Sequence, residues 1–163
     1  MNVRHQGFTM LEMMAAVAVV GILAALAVPS YLNLLVRDQI KAALPLADIA
    51  KQPIAAGWSL KQTFLADNAA AGLPSPDKVV ANYVSALAVQ DGVIHITFGN
   101  RANKVIAGKI LTLRPAVVED APVVPIAWVC GYAEAPEKMT IHGKSLTDIP
   151  QEFLPFECRA LKQ

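Results

Sequence analysis

An apolar stretch near the amino terminus constrains this chain more than any other feature. Residues 8–31 are FTMLEMMAAVAVVGILAALAVPSY, and Glu12 is the only acidic or basic side chain between Arg4 and Arg37, apart from His5. At about 1.5 Å per residue, a helix over this stretch approaches the thickness of a bilayer core. The stretch therefore predicts a membrane-length helix that carries a single carboxylate.

The carboxylate of Glu12 needs an explanation, because a charge in the middle of such a helix costs roughly 2.5–3.5 kcal/mol. We expect a cation to compensate it, and no Lys or Arg lies nearby in the sequence. Cleavage after Gly7 would create an α-amino group on Phe8, about one helical turn before Glu12. A processed chain would therefore supply the cation that the precursor lacks.

The amino terminus resembles that of type IV pilin precursors. The shared features are a short basic leader and a set of motif residues: Gly7, Phe8, Thr9, Leu11, Glu12, Gly21, Pro29 and Tyr31. The resemblance implies that a prepilin peptidase cleaves after Gly7 and N-methylates Phe8. It also implies that Glu12 of one subunit meets the amino terminus of a neighbouring subunit in a filament.

In related filaments, the segment that matches Gly21 to Pro29 can lose helical structure on assembly. Glycine and proline disfavour a helix interior by about 1 and about 3 kcal/mol relative to alanine, which fits such a loss. Membrane helices also tolerate both residues routinely, so the same two positions are compatible with a helix that stays intact.

Two other interpretations of the apolar stretch compete with the pilin motif. A secretory signal peptide is the first, since Ala25-Leu26-Ala27 offers a small-x-small cleavage site before Val28. It would release a conventionally secreted, soluble binding domain. A plain membrane anchor is the second, and it is compatible with the first stage of pilin biogenesis, in which this segment holds the subunit in the inner membrane.

Beyond residue 36 the apolar residues recur at spacings of three and four, which predicts an amphipathic continuation of the helix. Pro29, Pro45 and Pro53 should each kink or interrupt it, because proline lacks the N–H donor and clashes with the preceding turn. The predicted buried face consists of Ile40, Ala43, Leu44, Ala47, Ala50, Ile54 and Trp58.

The second half of the chain switches to alternating patterns that predict short strands. Residues 83–89 and 93–98 flank Asp91-Gly92, a strong hairpin signal. Residues 109–118 and 126–130 predict two further strands. We therefore predict an α+β fold, with a long amino-terminal helical spine packed on a four-stranded antiparallel sheet. Residues 63–78 predict a connecting loop, which the resemblance marks as a surface for external contacts.

Cys130 and Cys158 are the two cysteines. The resemblance places them at the ends of a disulfide-bounded loop in the carboxy-terminal region, and an oxidising compartment favours that bond. A loop of this length would stabilise the domain by about 3.5 kcal/mol. A zinc site is the alternative, although two isolated cysteines are a weak metal signal.

Composition and motifs argue against most other functions. The net charge is +1, and removal of the leader leaves 13 basic and 13 acidic side chains, so charge gives no support for nucleic-acid binding, which stays open. The chain has three histidines and no recognised nucleophile, phosphate-binding or paired-histidine motif. Of these, His95 alternates along a predicted strand and should be exposed, and Glu119-Asp120 should be a solvated turn. We predict no enzyme, no cofactor and no metal.

The resemblance implies a structural subunit of a bacterial type IV pilus, made in the inner membrane and then built into an extracellular filament. We divide the chain into a leader (1–7), a transmembrane and fibre-core helix (8–36) and a globular head (37–163). The partners implied by the resemblance are other pilin subunits, the prepilin peptidase and the inner-membrane assembly machinery. Adhesion, twitching motility and DNA uptake are family-level expectations, and a minor pilin or a type II secretion pseudopilin is the alternative.

Overall fold

The computed structural model describes residues 7–160, and within helix α1 it leaves out the side chains of residues 27–30. The chain divides into two units, the first ending at Leu35 and the second beginning at Val36. Helix α1 (Met10–Ala43) crosses that boundary along the sequence. The leader therefore lies outside the described residues, except for Gly7.

In the second unit, the helical part consists of the end of α1 and a second helix, with a single interruption between them. Residues Leu44–Ala47 form a 3-10 turn, and α2 (Asp48–Lys61) follows directly. Pro45 lies at the start of that turn, as predicted for a residue that cannot donate an α-helical hydrogen bond. Pro53 lies inside α2, which continues past it, so the predicted interruption there is not observed.

The amphipathic face predicted for this helical part is confirmed. Five of its seven side chains join those of the sheet in one core cluster, and Leu44 stays partly exposed at the rim of that cluster. Trp58 is buried outside the cluster, where its ring stacks on Phe64. A further member, Val36, extends the buried face towards the amino terminus. The buried residues are Val36, Ile40, Ala43, Ala47, Ala50, Ile54 and Trp58.

An antiparallel sheet forms the rest of the core. Its strands are β1 (Val84–Gln90), β2 (Val93–Phe98), β3 (Ile110–Val117) and β4 (Ala127–Cys130), in that spatial order. The four predicted strands are confirmed. A fifth, β5 (Thr140–Ile141), pairs with β3 and was not predicted, because two residues are too few to show an alternating pattern.

The turn between β1 and β2 has the geometry that its sequence predicts. Asp91 and Gly92 have φ values of +48° and +78°, and Gln90 pairs with Val93 across the hairpin. Positive φ at both central positions is the signature of the turn that matches strand twist, and an Asp-Gly pair adopts it readily. The turn therefore sets the register of the two strands.

The connection between α2 and β1 is held against the edge of the sheet by Asn68. Its amide Nδ2 donates to the carbonyls of Pro74 and Leu87 at 2.9 and 3.0 Å, and its Oδ1 accepts from the backbone N–H of Val89 at 2.6 Å. Leu87 and Val89 belong to β1, an edge strand. The buried amide thus replaces part of a missing neighbouring strand.

A disulfide joins Cys130, the last residue of β4, to Cys158 in a 3-10 turn near the carboxy terminus. The two residues are 28 positions apart in sequence and 4.5 Å apart at Cα. The backbone N–H of Tyr132 also donates to the carbonyl of Cys158 at 3.0 Å. The predicted disulfide is confirmed, and it leaves neither thiol available for the alternative zinc site.

His95, on β2, was predicted to be exposed, and this prediction is wrong because only 6% of its surface is accessible. Its Nδ1 lies 3.0 Å from the hydroxyl of Thr112 on β3, and that hydroxyl accepts from the backbone N–H of Leu146 at 3.0 Å. The carboxy-terminal segment therefore covers this face of the sheet. The prediction was wrong because it treated the second face of β2 as open to water.

The Glu119-Asp120 turn is exposed, as predicted, and one of its acids also contacts a histidine. Glu119 Oε1 lies 2.8 Å from His142 Nε2, just beyond β5. The imidazole of His142 also lies near the stacked rings of Trp58 and Phe64, with a centroid distance of 5.2 Å to Phe64. One acid of the turn therefore helps to join the carboxy-terminal region to the end of the helical part.

Candidate assembly site on the amino-terminal helix

Helix α1 begins with reciprocal hydrogen bonds between Thr9 and Glu12. The carboxylate Oε2 of Glu12 accepts from both the backbone N–H and the hydroxyl of Thr9, each at 2.9 Å. In return, Thr9 Oγ1 accepts from the backbone N–H of Glu12 at 3.3 Å. This is a capping box, which satisfies N–H groups that the first turn of a helix leaves without partners.

The capping box gives Glu12 hydrogen-bond partners but no cation. Two of its hydrogen bonds come from within the same turn, although the negative charge itself remains. Among the described residues, neither carboxylate oxygen of Glu12 contacts a cation, and Oε1 accepts no hydrogen bond. Thr9 is a motif residue of the resemblance, and its Thr-x-x-Glu spacing before an apolar run is also a signal that could have identified the cap.

Gly7 and Phe8 precede the helix, which begins at Met10. Both are exposed, and Phe8 has 82% of its surface accessible. The peptide bond between them therefore lies in non-helical chain at an exposed position, where proteases act most readily. The predicted processing position and the predicted assembly acid lie within one short segment.

The first unit also presents a large apolar surface. Every described side chain from residue 7 to residue 26 is exposed, although the stretch is long and apolar enough to cross a membrane. A patch of this size needs a cover of lipid or protein. Its largest members are Phe8, Met10, Leu11, Met13, Met14, Val17, Val19, Val20, Ile22, Leu23 and Leu26.

The two candidate helix-melting positions both lie inside α1, whose backbone is helical from Met10 to Ala43. A Cβ added to Gly21 would meet no atom within 4 Å, so packing within the chain does not explain this glycine. The side chain of Pro29 lies outside the described residues. Any loss of helix between the two positions concerns the assembled state rather than the single chain.

The second unit offers no comparable chemical site in the part of the chain that the structure describes. No group of three or more His, Cys, Asp or Glu side chains is placed to hold a metal ion there. His95 and His142 lie in different hydrogen-bonded pairs, with Thr112 and Glu119 respectively. The arrangement that distinguishes this chain is therefore the capped, exposed, apolar helix at its amino terminus.

An exposed apolar helix joined to a disulfide-bonded α+β unit is the architecture expected of a filament subunit, and comparison with protein families agrees. A family model for the pilin of bacterial filaments matches residues 36–159. A second model, for the prokaryotic N-terminal methylation motif, matches residues 2–28. Because the first match covers more than half of the chain, the chain belongs to the pilin family.

Several curated relatives align over most of the chain. A type IV major pilin protein PilE1 of Neisseria gonorrhoeae is 33% identical over 165 residues, covering 98% of this chain and 89% of the relative. Fimbrial protein EcpC of Eikenella corrodens is 34% identical over 158 residues, covering 95% and 91%. A fimbrial protein of Neisseria meningitidis serogroup A is 34% identical over 132 residues, covering 80% and 75%.

These matches establish what the chain is at the level of the family. It is a structural subunit of a pilus, it polymerises with other pilin subunits, and it is not an enzyme. Pilins form surface filaments, and the apolar helix is compatible with membrane anchoring before assembly.

Proposed function

We propose that this chain is the major subunit of a type IV pilus, made as an inner-membrane precursor and cleaved after Gly7 by a prepilin peptidase. The enzyme then methylates the new amino terminus on Phe8. The match to the methylation motif supports this processing, as does the exposed, non-helical position of the Gly7–Phe8 bond. The leader is then residues 1–7, the membrane and fibre-core helix is 8–36, and the head is 37–163.

The observation that carries the assembly mechanism is the exposed carboxylate of Glu12 at the start of α1. After processing, an incoming subunit buries this acid among apolar helices, where it needs a positive partner. The Phe8 amine of a subunit already in the fibre supplies that partner and fixes the axial register. Removal of one partner would leave the other buried and unpaired, typically a cost of about 3–5 kcal/mol.

The apolar residues of α1 provide the packing in this proposal. At 100° per residue, Leu23 lies on the same side of the helix as Glu12, whereas Met14 and Val17 lie on the other side. All of these side chains are exposed in the single chain. Both sides of the helix, and Phe8, must be covered by other apolar groups. This requires more than one neighbouring helix, as the core of a fibre provides.

The inner-membrane pilus machinery is the proposed partner for extraction of the subunit from the membrane. Adhesion, twitching motility and DNA uptake are the proposed roles of the finished fibre. The near-neutral charge of the mature chain gives nucleic acid no general electrostatic attraction. Attachment, twitching and transformation assays on a deletion strain, with the complemented strain as control, separate the three roles.

The experiment that tests processing is intact mass and amino-terminal sequencing of protein from membranes and from sheared surface material. We expect a chain that begins at Phe8 and carries one added methyl group. A chain that begins at Val28 would instead identify a conventionally secreted domain and would remove the helix on which the assembly mechanism depends. A chain that dominates purified fibres is a major pilin, and one found only in traces is a minor pilin or pseudopilin.

The experiment that tests assembly compares Glu12→Gln with Glu12→Ala. Glutamine can keep the capping box while it removes the charge, whereas alanine removes both. We expect both variants to be inserted and cleaved normally and to give few or no surface fibres, because both lack the negative charge. Fibre yield is measured in sheared fractions against total processed pilin. Abundant fibres from Glu12→Gln would show that charge pairing does not drive assembly.

A further inference from the structure

A small cavity in the second unit lies between the β1–β2 turn and the carboxy-terminal segment that covers the sheet. We propose that this cavity binds a small zwitterion of the α-amino acid class, with its carboxylate directed to His95 and Lys144 and its ammonium group directed to Asp91. The site is separate from the assembly contact at Glu12. Its volume is about 200 Å³, and the residues that line it include Asp91, Val93, His95, Gly143, Lys144 and Leu146.

His95 provides the observation that points to a ligand. Only 6% of this residue is exposed, and its Nδ1 lies 3.0 Å from the hydroxyl of Thr112. That hydroxyl already accepts from the backbone N–H of Leu146, and within residues 7–160 its own hydrogen has no other acceptor than Nδ1. Because Thr112 is fully buried, an unused donor there would be costly. The hydroxyl of Thr112 therefore donates to Nδ1.

This hydrogen bond fixes where the imidazole carries its proton. Burial lowers the pKa of His95 from the ordinary value of 6.5, so the ring is neutral at pH 7 and has one N–H. When Nδ1 accepts, that N–H is at Nε2, which has no hydrogen-bond partner in the part of the chain that the structure describes. Since the residue borders the cavity, a carboxylate oxygen bound there would accept from this N–H.

Two opposite charges lie at the same cavity without pairing. Asp91 and Lys144 both line it and are both exposed, yet they form no ion pair with each other. A simple anion would be repelled by Asp91, and a simple cation would be repelled by Lys144. A molecule with one group of each sign contacts both residues favourably, which is why we infer a zwitterion.

The walls of the cavity are fixed in the absence of a ligand. The β1–β2 turn is held to the loop after α2, since the backbone N–H of Asp91 donates to the carbonyl of Ala66 at 3.0 Å. On the other side, Gly143 has a φ of +79°, and an added Cβ would overlap the side chain of Val93. The carboxy-terminal segment thus packs directly on β2. A preformed site loses less entropy on binding than a mobile one.

The competing interpretation is a cavity that holds only water. A volume of about 200 Å³ has room for several water molecules, since each occupies about 30 Å³ in the liquid. Sites for drug-sized ligands are larger, roughly 300–1,000 Å³, so we expect a short amino acid such as alanine. Water can also accept from Nε2 of His95, but it does not require the two opposite charges. The test must therefore compare molecules that differ in charge.

The test uses the full chain in detergent with ¹⁵N-labelled histidine, titrated with L-alanine, acetate or ethylamine. Acetate and ethylamine each retain only one of the two charged groups. We expect L-alanine to shift the Nε2 resonance of His95. It should bind about five-fold more tightly than either single-charge molecule, which is the upper size expected for one exposed ion pair.

Two variants each remove one charge from the cavity. Asp91→Asn keeps a residue type that accepts the positive φ of this turn, and Lys144→Gln keeps a long polar side chain. Each should weaken the binding of L-alanine about five-fold. The matched controls are Asp120→Asn and Lys138→Gln, which change the same residue types at exposed positions that do not line the cavity. Both controls should bind like the unsubstituted chain.

The other outcomes overturn the proposal. A His95 resonance that does not shift with L-alanine would show that the cavity holds only water. Equal affinity for L-alanine and for either single-charge molecule would exclude a zwitterion site. Equal weakening in the control variants would place the effect in the charge of the whole surface. None of these results bears on the pairing of Glu12, which is tested by fibre yield.

Discussion

His95 is a titratable residue inside the second unit, and burial lowers the pKa of its imidazole from the ordinary value of 6.5. In the folded chain it is therefore neutral at pH 7. In the unfolded chain it would titrate near 6.5, so protonation favours unfolding. The contribution of this residue to stability is fully present above about pH 6.5 and declines as the pH falls towards the lower pKa of the folded state.

We therefore expect the unfolding temperature of the full chain in detergent to fall between pH 7 and pH 5. His95→Gln, which does not titrate and can still accept a hydrogen bond from Thr112, should show a smaller fall over the same interval. Near-ultraviolet circular dichroism during heating measures both. The control is His142→Gln, which keeps His95 and should retain the fall that this residue causes. Equal falls in the His95→Gln variant and the unsubstituted protein would contradict the prediction.

Single residues also show where the sequence was a sufficient guide. Glu12 was recognised because a lone acid in an apolar stretch has a clear energetic consequence. Thr9 was missed because its role depends on local hydrogen bonds, although its spacing from Glu12 contained the signal. His95 could not be placed, since its burial depends on a carboxy-terminal segment that shows little pattern of its own.

At the scale of elements, the connection after α2 is the clearest case of structure without a strong pattern. It was predicted as a loop, and a loop it is, apart from a 3-10 turn at Pro76–Lys78. What the pattern could not show is that Asn68 anchors this loop to β1 through two hydrogen bonds and makes a third to Pro74 within the loop itself. Helices and long strands repeat a signal over many residues, whereas a single buried amide does not.

Asn68→Ala should lower the free energy of unfolding by about 3 kcal/mol, because it leaves buried backbone groups of β1 without partners. Urea unfolding of the full chain in detergent measures the effect. The matched control is Asn100→Ala, whose amide also donates two hydrogen bonds to backbone carbonyls, at Ala81 and Val84. That residue lies at a more exposed position, and its loss should cost about 1 kcal/mol. A loss no larger for Asn68→Ala than for Asn100→Ala would argue against the anchoring role.

At the scale of the whole molecule, the two ends of α1 differ in how far their side chains are buried. One face of its last part, formed by Val36, Ile40 and Ala43, is buried in a core within one chain. Its described side chains up to Leu26 are all exposed in that chain. In the sequence, charged residues begin to interrupt the apolar run at Arg37, close to this change. The sequence could not show what covers the first part, because the pattern of one chain does not identify lipid or protein neighbours.

The transition from subunit to fibre leads to a prediction for Pro29. If residues 21–29 lose helical structure on assembly, their amides should exchange rapidly in fibres and slowly in the detergent-solubilised chain. Pro29→Ala removes a helix penalty of about 3 kcal/mol and should restore protection in fibres. Hydrogen exchange with mass spectrometry measures this, and Pro53→Ala in α2 should leave the segment unchanged. Equal protection of unsubstituted fibres and solubilised chain would show that the helix stays intact.

The contact of Asn68 with β1 has a consequence for a protein that polymerises with other pilin subunits. An open edge strand offers a template on which another chain can add a strand, which is the route to sheet-mediated aggregation. Here the chain fills part of that template with its own loop, at Leu87 and Val89. Self-association through this edge is thereby discouraged.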